Sequence, residues 1–331
     1  MPRPSFFDSS RPDERAERGD AATPARRFVC SPSKLAAYVD CPRRYRYAYV
    51  DRPRPPKGPP WAHTSLGASV HTALRRWYEL PAQQRRPEAI ARLLRGGWVR
   101  AGYRDAEQER AAFQVARGWL EAYVATPACQ VEPIGVERVV AMKTATLALS
   151  GRVDRIDERQ GPRGPELVIV DYKTGRAGAD ADDARGSQAL ALYAYAAERM
   201  FRRPCRRVEL HHLPTGTVAA HEHTPESLER HLARAEAIVG DIVAAERAVA
   251  EGADPDTAFP ATPSGSCGWC DYRQHCPEGA AAPGKEPWAG VERMLAADSP
   301  GPAGLIDPPR APLPTSAAPA LTRAMTVGGE E

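Results

Sequence analysis

Gly151-Arg152-Val153-Asp154-Arg155-Ile156-Asp157, followed after a polar break by Glu166-Leu167-Val168-Ile169-Val170-Asp171-Tyr172-Lys173-Thr174-Gly175, decides how the chain folds. The apolar residues Leu147, Leu149, Val153 and Ile156 mark one strand, and Leu167 to Val170 mark the next. Between them, Gln160-Gly161-Pro162-Arg163-Gly164-Pro165 is a turn cluster. The expected product is a β-hairpin that gathers Asp154, Asp171 and Lys173 at one end. Asp171 and Lys173 are two apart, so on a strand they point to the same face.

Two neighbouring carboxylates repel unless a cation lies between them. A hard divalent ion such as Mg²⁺ takes oxygen ligands and keeps several waters. It can polarise a phosphoryl oxygen and lower the pKa of a bound water. Lys173 then reaches that water or the scissile phosphate, and the Tyr172 carbonyl offers a further ligand. A surface hairpin with ordinary charges would show the same short D-x-K string. The apolar strand before it, the Asp in the strand before that, and the Thr174-Gly175 stop favour the site.

These two segments resemble motifs II and III of the PD-(D/E)XK nuclease superfamily. The similarity is to the RecB-like group, which includes AddB-type and CRISPR-associated exonucleases. The resemblance implies an α/β fold with an αβββαβ core and hydrolysis of DNA phosphodiesters with one or two Mg²⁺ or Mn²⁺ ions. It implies Asp154 and Asp171 as metal ligands and Lys173 as the catalytic lysine.

Upstream, Thr64 to Tyr78 reads as a helix with Leu66, Val70, Ala73, Leu74 and Trp77 on its apolar side. A lone His on such a helix is usually structural. Gly67 to His71, however, resembles the family motif G-x-x-V-H, whose His approaches the metal or the substrate phosphate. The resemblance therefore places His71 in the site. Strands are expected at about 134–142, 145–157 and 166–173. Glu137 in the first could join the acidic site, but it is read as a strand-edge charge. A helix is expected from about Asp183 to Met200. The family often carries Gln-x-x-x-Tyr there, but Gln188 and Tyr193 are five apart. That spacing rotates them to different helical faces. Tyr193 is kept as the Tyr of the motif, and Gln188 is kept beside it as a site candidate that the spacing disfavours.

Cys267, Cys270 and Cys276 form C-x2-C-x5-C. Three thiols so close together need a disulfide or a metal. The N-terminus has no apolar signal region, so the chain reads as cytoplasmic, where a disulfide is disfavoured. A soft four-sulfur site suits Zn²⁺ or an iron–sulfur cluster, with Cys41 the natural fourth ligand. The string Ser31 to Tyr49, with Cys41 before Pro42, resembles the N-terminal signature of the iron–sulfur branch of the same family. That resemblance implies a [4Fe-4S] cluster, with Zn²⁺ as the alternative, stapling the ends of the domain. Cys30, Cys129 and Cys205 have no such spacing and read as ordinary.

At 331 residues the chain could hold one large domain or two small ones. Residues 1–27 and 281–331 read as disordered tails, with a partner-binding segment near Trp288 to Leu295. Residues 28–280 read as the nuclease domain: a helical part at 61–130, a catalytic core at 134–251 and a cysteine segment at 259–280. Residues 51–60 form a stiff, proline-rich connector. Arginines in the helices of residues 85–125 suit either DNA phosphates or solvent. A formal charge of +3 neither demands nor excludes nucleic acid. No apolar run is long enough to span a membrane, about 18 residues or more. The function expected is a metal-dependent DNA exonuclease in repair or recombination, acting on single strands or free ends. No P-loop is present, so unwinding would need a helicase partner. A non-catalytic DNA-binding subunit of a helicase–nuclease assembly is the second reading.

Overall fold

Helix starts follow the local chemistry. The Ser31 and Thr224 side chains accept the backbone N–H groups of Lys34 and Ser227, and Pro32 and Pro225 take the first helical positions. The structure, a computed structural model, describes residues 27–162, 164–175 and 178–298. In chain order the elements are β1 (Phe28–Cys30), α1 (Pro32–Asp40), α2 (Pro42–Tyr45), α3 (Ala62–Glu79), α4 (Pro87–Gly96), α5 (Ala106–Val124) and α6 (Pro127–Gln130). Then come β2 (Gly135–Lys143), β3 (Leu147–Gly161), β4 (Gly164–Lys173), α7 (Ala181–Gly186), α8 (Gln188–Phe201), β5 (Cys205–His212) and β6 (Thr217–Glu222). The last are α9 (Pro225–Ala250), α10 (Pro255–Ala258), α11 (Pro277–Ala281) and α12 (Ala289–Asp298).

The sheet is the middle layer. One face packs on α1, α8 and α9 through Leu149, Ile156, Leu167 and Ile169; the other packs on α3, α4 and α5 through Val168, Val170 and Tyr172. This is a mixed α/β architecture consistent with the expected core. β3 is its backbone. β2 runs antiparallel along one side, pairing residues 148–156. On the other side β1 pairs parallel at Leu147–Leu149 and β4 pairs antiparallel from Gly161 back to Arg155. β5 then pairs parallel with β4, and β6 antiparallel with β5.

Two expectations need correction. The single helix from Asp183 is two, α7 and α8, broken at Ser187, whose side chain caps α8. Gly186-Ser187 supplies the break. The tail expected from residue 281 is ordered as far as 298. α12 docks on α3 and α5 with Val291 fully buried and Met294 and Leu295 against the same cluster. Spacings of three and four put these three residues on one face, and the outer helical layer supplies the apolar partner. The rest of the two expected tails, 1–26 and 299–331, lies outside the described residues.

Candidate active site

β3 and β4 separate at the motif. Their last paired residues are Arg155 and Val170. Beyond that pair β4 continues on β5 alone, with Asp171 beside Leu210 and Lys173 beside His212. Asp154 and Asp171, next in register, therefore stand on either side of an open fork. The Tyr172 N–H donates to Asp154 Oδ2 across it, at 3.0 Å. This bond fixes the Asp154 carboxylate and leaves Oδ1 to face His71 Nδ1, 3.3 Å away. Lys173 Nζ lies 2.8 Å from Asp171 Oδ2. The ammonium is the group that faces this buried oxygen, and its charge and contact pull against the rise that burial imposes on Asp171.

His71 comes from α3, which must approach the strand ends closely. A Cβ on Gly67 would lie 3.2 Å from Thr174 Oγ1, so Gly67 leaves room for the contact one turn before His71. Tyr193 on α8 closes the other side. Its ring lies over Gly151, where a Cβ would come within 2.4 Å of it. Gln188 is not brought in; its amide reaches toward the His231 carbonyl at 3.5 Å.

Glu137 corrects the expectation of a strand-edge charge. It stands opposite Asp154 in the β2–β3 register, between the pairs Val136–Arg155 and Arg138–Val153. Its φ of 48° interrupts the ladder there. Ligand atoms of His71, Glu137 and Asp154 all lie within 4.8 Å of one another. The electrostatics are those of a crowded anionic site. Burial and the Asp154 charge raise the Glu137 pKa. Burial raises that of Asp171, against the pull of Lys173 and with a push from Asp154. Burial alone would lower the His71 pKa, but its hydrogen bond to Asp154 and the surrounding carboxylates raise it. A cation placed here relieves that repulsion.

A sequence profile of the PD-(D/E)XK nuclease superfamily matches residues 29–277. The chain belongs to the PD-(D/E)XK nuclease superfamily. This assignment makes it a nuclease-family protein, with nucleic-acid phosphodiesters as the substrate class and divalent metal as the expected cofactor. No curated protein matches the sequence. Among solved structures it is similar to a putative exonuclease from Eubacterium rectale, with a TM-score of 0.42 and 9% identity over 66% of this chain and 80% of that one. It is also similar to SSO0001, with a TM-score of 0.36 and 13% identity over 78% and 90%. Likenesses this loose carry no argument about site or activity. No described helix of the nuclease is long and apolar enough to cross a membrane.

The four singled-out cysteines come together away from the fork. Cys41, Cys267, Cys270 and Cys276 line one cavity of about 300 Å³. Backbone N–H groups of Thr262 and Ser264 point at the sulfurs of Cys41 and Cys267, at 3.5 and 3.4 Å. Among the described residues, no three of the four thiols lie within 4.8 Å of one another. Cys30, Cys129 and Cys205 are buried elsewhere, and all seven are free thiols. Of the arginines at 85–125, Arg100, Arg104 and Arg117 are engaged by Glu109, Asp105 and Glu121.

Proposed function

We propose that the chain is a metal-dependent DNA exonuclease of the RecB-like branch, acting on single strands or free ends in repair or recombination. The observation that supports it most is the strand fork, which sets Asp154, Asp171 and Lys173 at one open strand end with His71 facing them. The donor set suits Mg²⁺ or Mn²⁺: carboxylate oxygens, a carbonyl at Tyr172 and one imidazole. Among the described residues, Asp171 Oδ2 meets Lys173 alone, so that carboxylate keeps lone pairs free for a cation. His71, Asp154, Asp171 and the Tyr172 carbonyl would hold the ion, and Glu137 joins them as a further carboxylate. When bound, the ion supplies Lewis-acid polarisation of the phosphate and a water acidic enough to attack at neutral pH.

The chain's own groups do the rest. Lys173 Nζ, half exposed beside Asp171, orients the attacking water and offsets the negative charge that develops on the phosphoryl oxygens. The Tyr172 N–H holds Asp154 in one rotamer. Tyr193 covers Gly151 beside the fork and feels the charge of both aspartates. Residues 27–298 act as one nuclease domain. A separate helicase would open duplex substrates. We also infer a [4Fe-4S] cluster on Cys41, Cys267, Cys270 and Cys276. A zinc tetrahedron with Zn–S bonds of about 2.3 Å sets its sulfurs about 3.8 Å apart. Among the described residues no three of these sulfurs come within 4.8 Å of one another, which favours the cluster.

The test is digestion of end-labelled single- and double-stranded DNA by anaerobically purified protein with Mg²⁺, Mn²⁺ or EDTA. Metal-dependent cleavage is expected, reduced by about a hundredfold or more in Lys173→Ala and Asp171→Ala. Cleavage retained in Lys173→Ala would remove the assignment. DNA binding without cleavage under either metal would favour a scaffold subunit.

A further inference from the structure

The segment that follows Lys173 forms part of a second pocket, about 280 Å³, that the proposed chemistry does not use. Thr174 and Gly175 form one side, and His63, Trp269, Arg293 and Met294 form the others. The strand end beside it is fixed. His212 Nε2 donates to the Gly175 carbonyl at 2.6 Å, and Thr174 rests against α3 at Gly67. The pocket thus borders the site through Lys173 on one side and through α3, which carries both His63 and His71, on the other.

Its walls come from three distant segments. Trp269, between Cys267 and Cys270, lies 5.3 Å from Trp61 and 5.5 Å, edge to face, from His63. Trp61 Nε1 donates to Asp271 Oδ1 at 2.9 Å and ties the cysteine segment to the start of α3. The Arg293 guanidinium of α12 lies over one side of the Trp269 ring, 4.8 Å from its centroid, so a base would meet the ring on the side that Arg293 leaves open. α12 can come this close because residue 290 is glycine: a Cβ there would lie 2.7 Å from His63 Nδ1. His63 and Arg293 are exposed. Among the described residues, Arg293 has no carboxylate partner; its Nε donates to its own helix at Ala289 O. Burial, then the Arg293 charge, lower the His63 pKa, which keeps that ring neutral.

Aromatic faces beside a guanidinium without a counter-ion match single-stranded nucleic acid. An unpaired base stacks on a ring, and a phosphate pairs with arginine. A base inside a duplex has no free face to offer. We propose that this pocket is a subsite for one unpaired nucleotide of the substrate strand, its base against Trp269 and His63 and its phosphate on Arg293. The proposal takes its substrate class from the nuclease reading and adds where the strand runs beside the scissile bond. It also makes the cysteine segment a direct contributor to substrate binding through Trp269.

The test is binding of a 2-aminopurine-labelled single-stranded oligonucleotide and of a matched duplex to the full chain in EDTA, where cleavage does not interfere. Wild type should bind the single strand and quench the probe. Trp269→Ala and Arg293→Ala should each weaken that binding by about tenfold or more, with duplex binding unchanged. Trp269→Phe, which keeps a stacking face, should restore most of the affinity. Arg293 is exposed, so Arg293→Ala remains decisive even if Trp269→Ala disturbs the cysteine segment. Single-strand affinity unchanged in Arg293→Ala, or equal losses for single strand and duplex, would overturn the subsite. The two readings fail separately. Cleavage lost in Lys173→Ala with binding untouched in Arg293→Ala keeps the nuclease and removes the subsite. Single-strand binding lost in Arg293→Ala, when the wild type cleaves with neither metal, keeps the subsite and removes the nuclease.

Discussion

Glu137 shows how much one backbone conformation contributes to the site. A φ of 48° is left-handed, a region that a glutamate enters at a cost of about 1–3 kcal/mol. The conformation sets its carboxylate with His71 and Asp154 instead of in the β2–β3 ladder. Strain and repulsion at one residue point to a group kept for ligation. Glu137→Gly should separate the two effects. Glycine adopts this φ freely, so the metal-free protein should gain about 1 kcal/mol and melt roughly 2–4 °C higher. Mn²⁺ affinity, followed by calorimetry, should fall by about tenfold or more. A variant that melts lower, or binds Mn²⁺ as well as wild type, would return Glu137 to the role of an ordinary strand charge.

At the scale of the element, β5 carries a half-buried carboxylate, Glu209, whose partner His211 ties the sheet to the outer helices. Glu209 accepts from His211 Nε2 at 2.9 Å and from Arg207 Nε at 2.5 Å, while His211 Nδ1 shares a hydrogen bond with the Tyr123 hydroxyl of α5 at 2.7 Å. Burial would raise the Glu209 pKa, but His211 and Arg207 bring it down to about 2. A carboxylate with a depressed folded pKa stabilises above its unfolded value, near 4.5, and loses that contribution as pH falls through 2. Glu209→Gln should therefore lower stability by about 1–2 kcal/mol at pH 7 after allowing for solvent screening, with the gap to wild type closing between pH 4.5 and 2. Denaturant melts across that range measure it, and a gap that stays constant with pH would contradict the charge network. β3 and β4 were legible in the sequence because alternation, a turn cluster and the D-x-K end are local signals. So was the gathering of Asp154, Asp171 and Lys173. Glu137 was visible only as the second of two readings, because its position depends on a register partner and a backbone angle that no local pattern encodes. The run of α12 was singled out as a partner-binding segment in a tail, because a short amphipathic run in an Ala-, Pro- and Gly-rich stretch does not say that α3 and α5 of the same chain receive it.

Across the whole molecule, the cysteine cavity joins the two ends of the domain. Thr262 N–H points at Cys41 Sγ although the two residues are 221 positions apart. Arg43 and Arg46 add ion pairs to Glu278 and Asp256 at 2.8 and 2.7 Å, and the Tyr47 hydroxyl donates to the His275 carbonyl at 2.8 Å. These contacts bring the thiols together, but burial raises the pKa of Cys270 and Cys276. As free thiols they stay protonated, and Cys276 Sγ is spent on Glu278 at 3.2 Å. Ligation would deprotonate all four and convert the same contacts into a covalent staple. A link across a loop this long removes unfolded-chain entropy worth about 5 kcal/mol. Cys276→Ser, or iron removal by a chelator, should therefore lower the melting temperature by roughly 10 °C or more and abolish visible absorbance. Lys173→Ala should keep both. Iron and sulfide each approaching four per chain would identify the cluster. Colourless protein holding one zinc would leave the staple in place and change only its metal. Neither metal, with an unchanged melting temperature in Cys276→Ser, would mean that the aromatic and ionic contacts close the domain unaided.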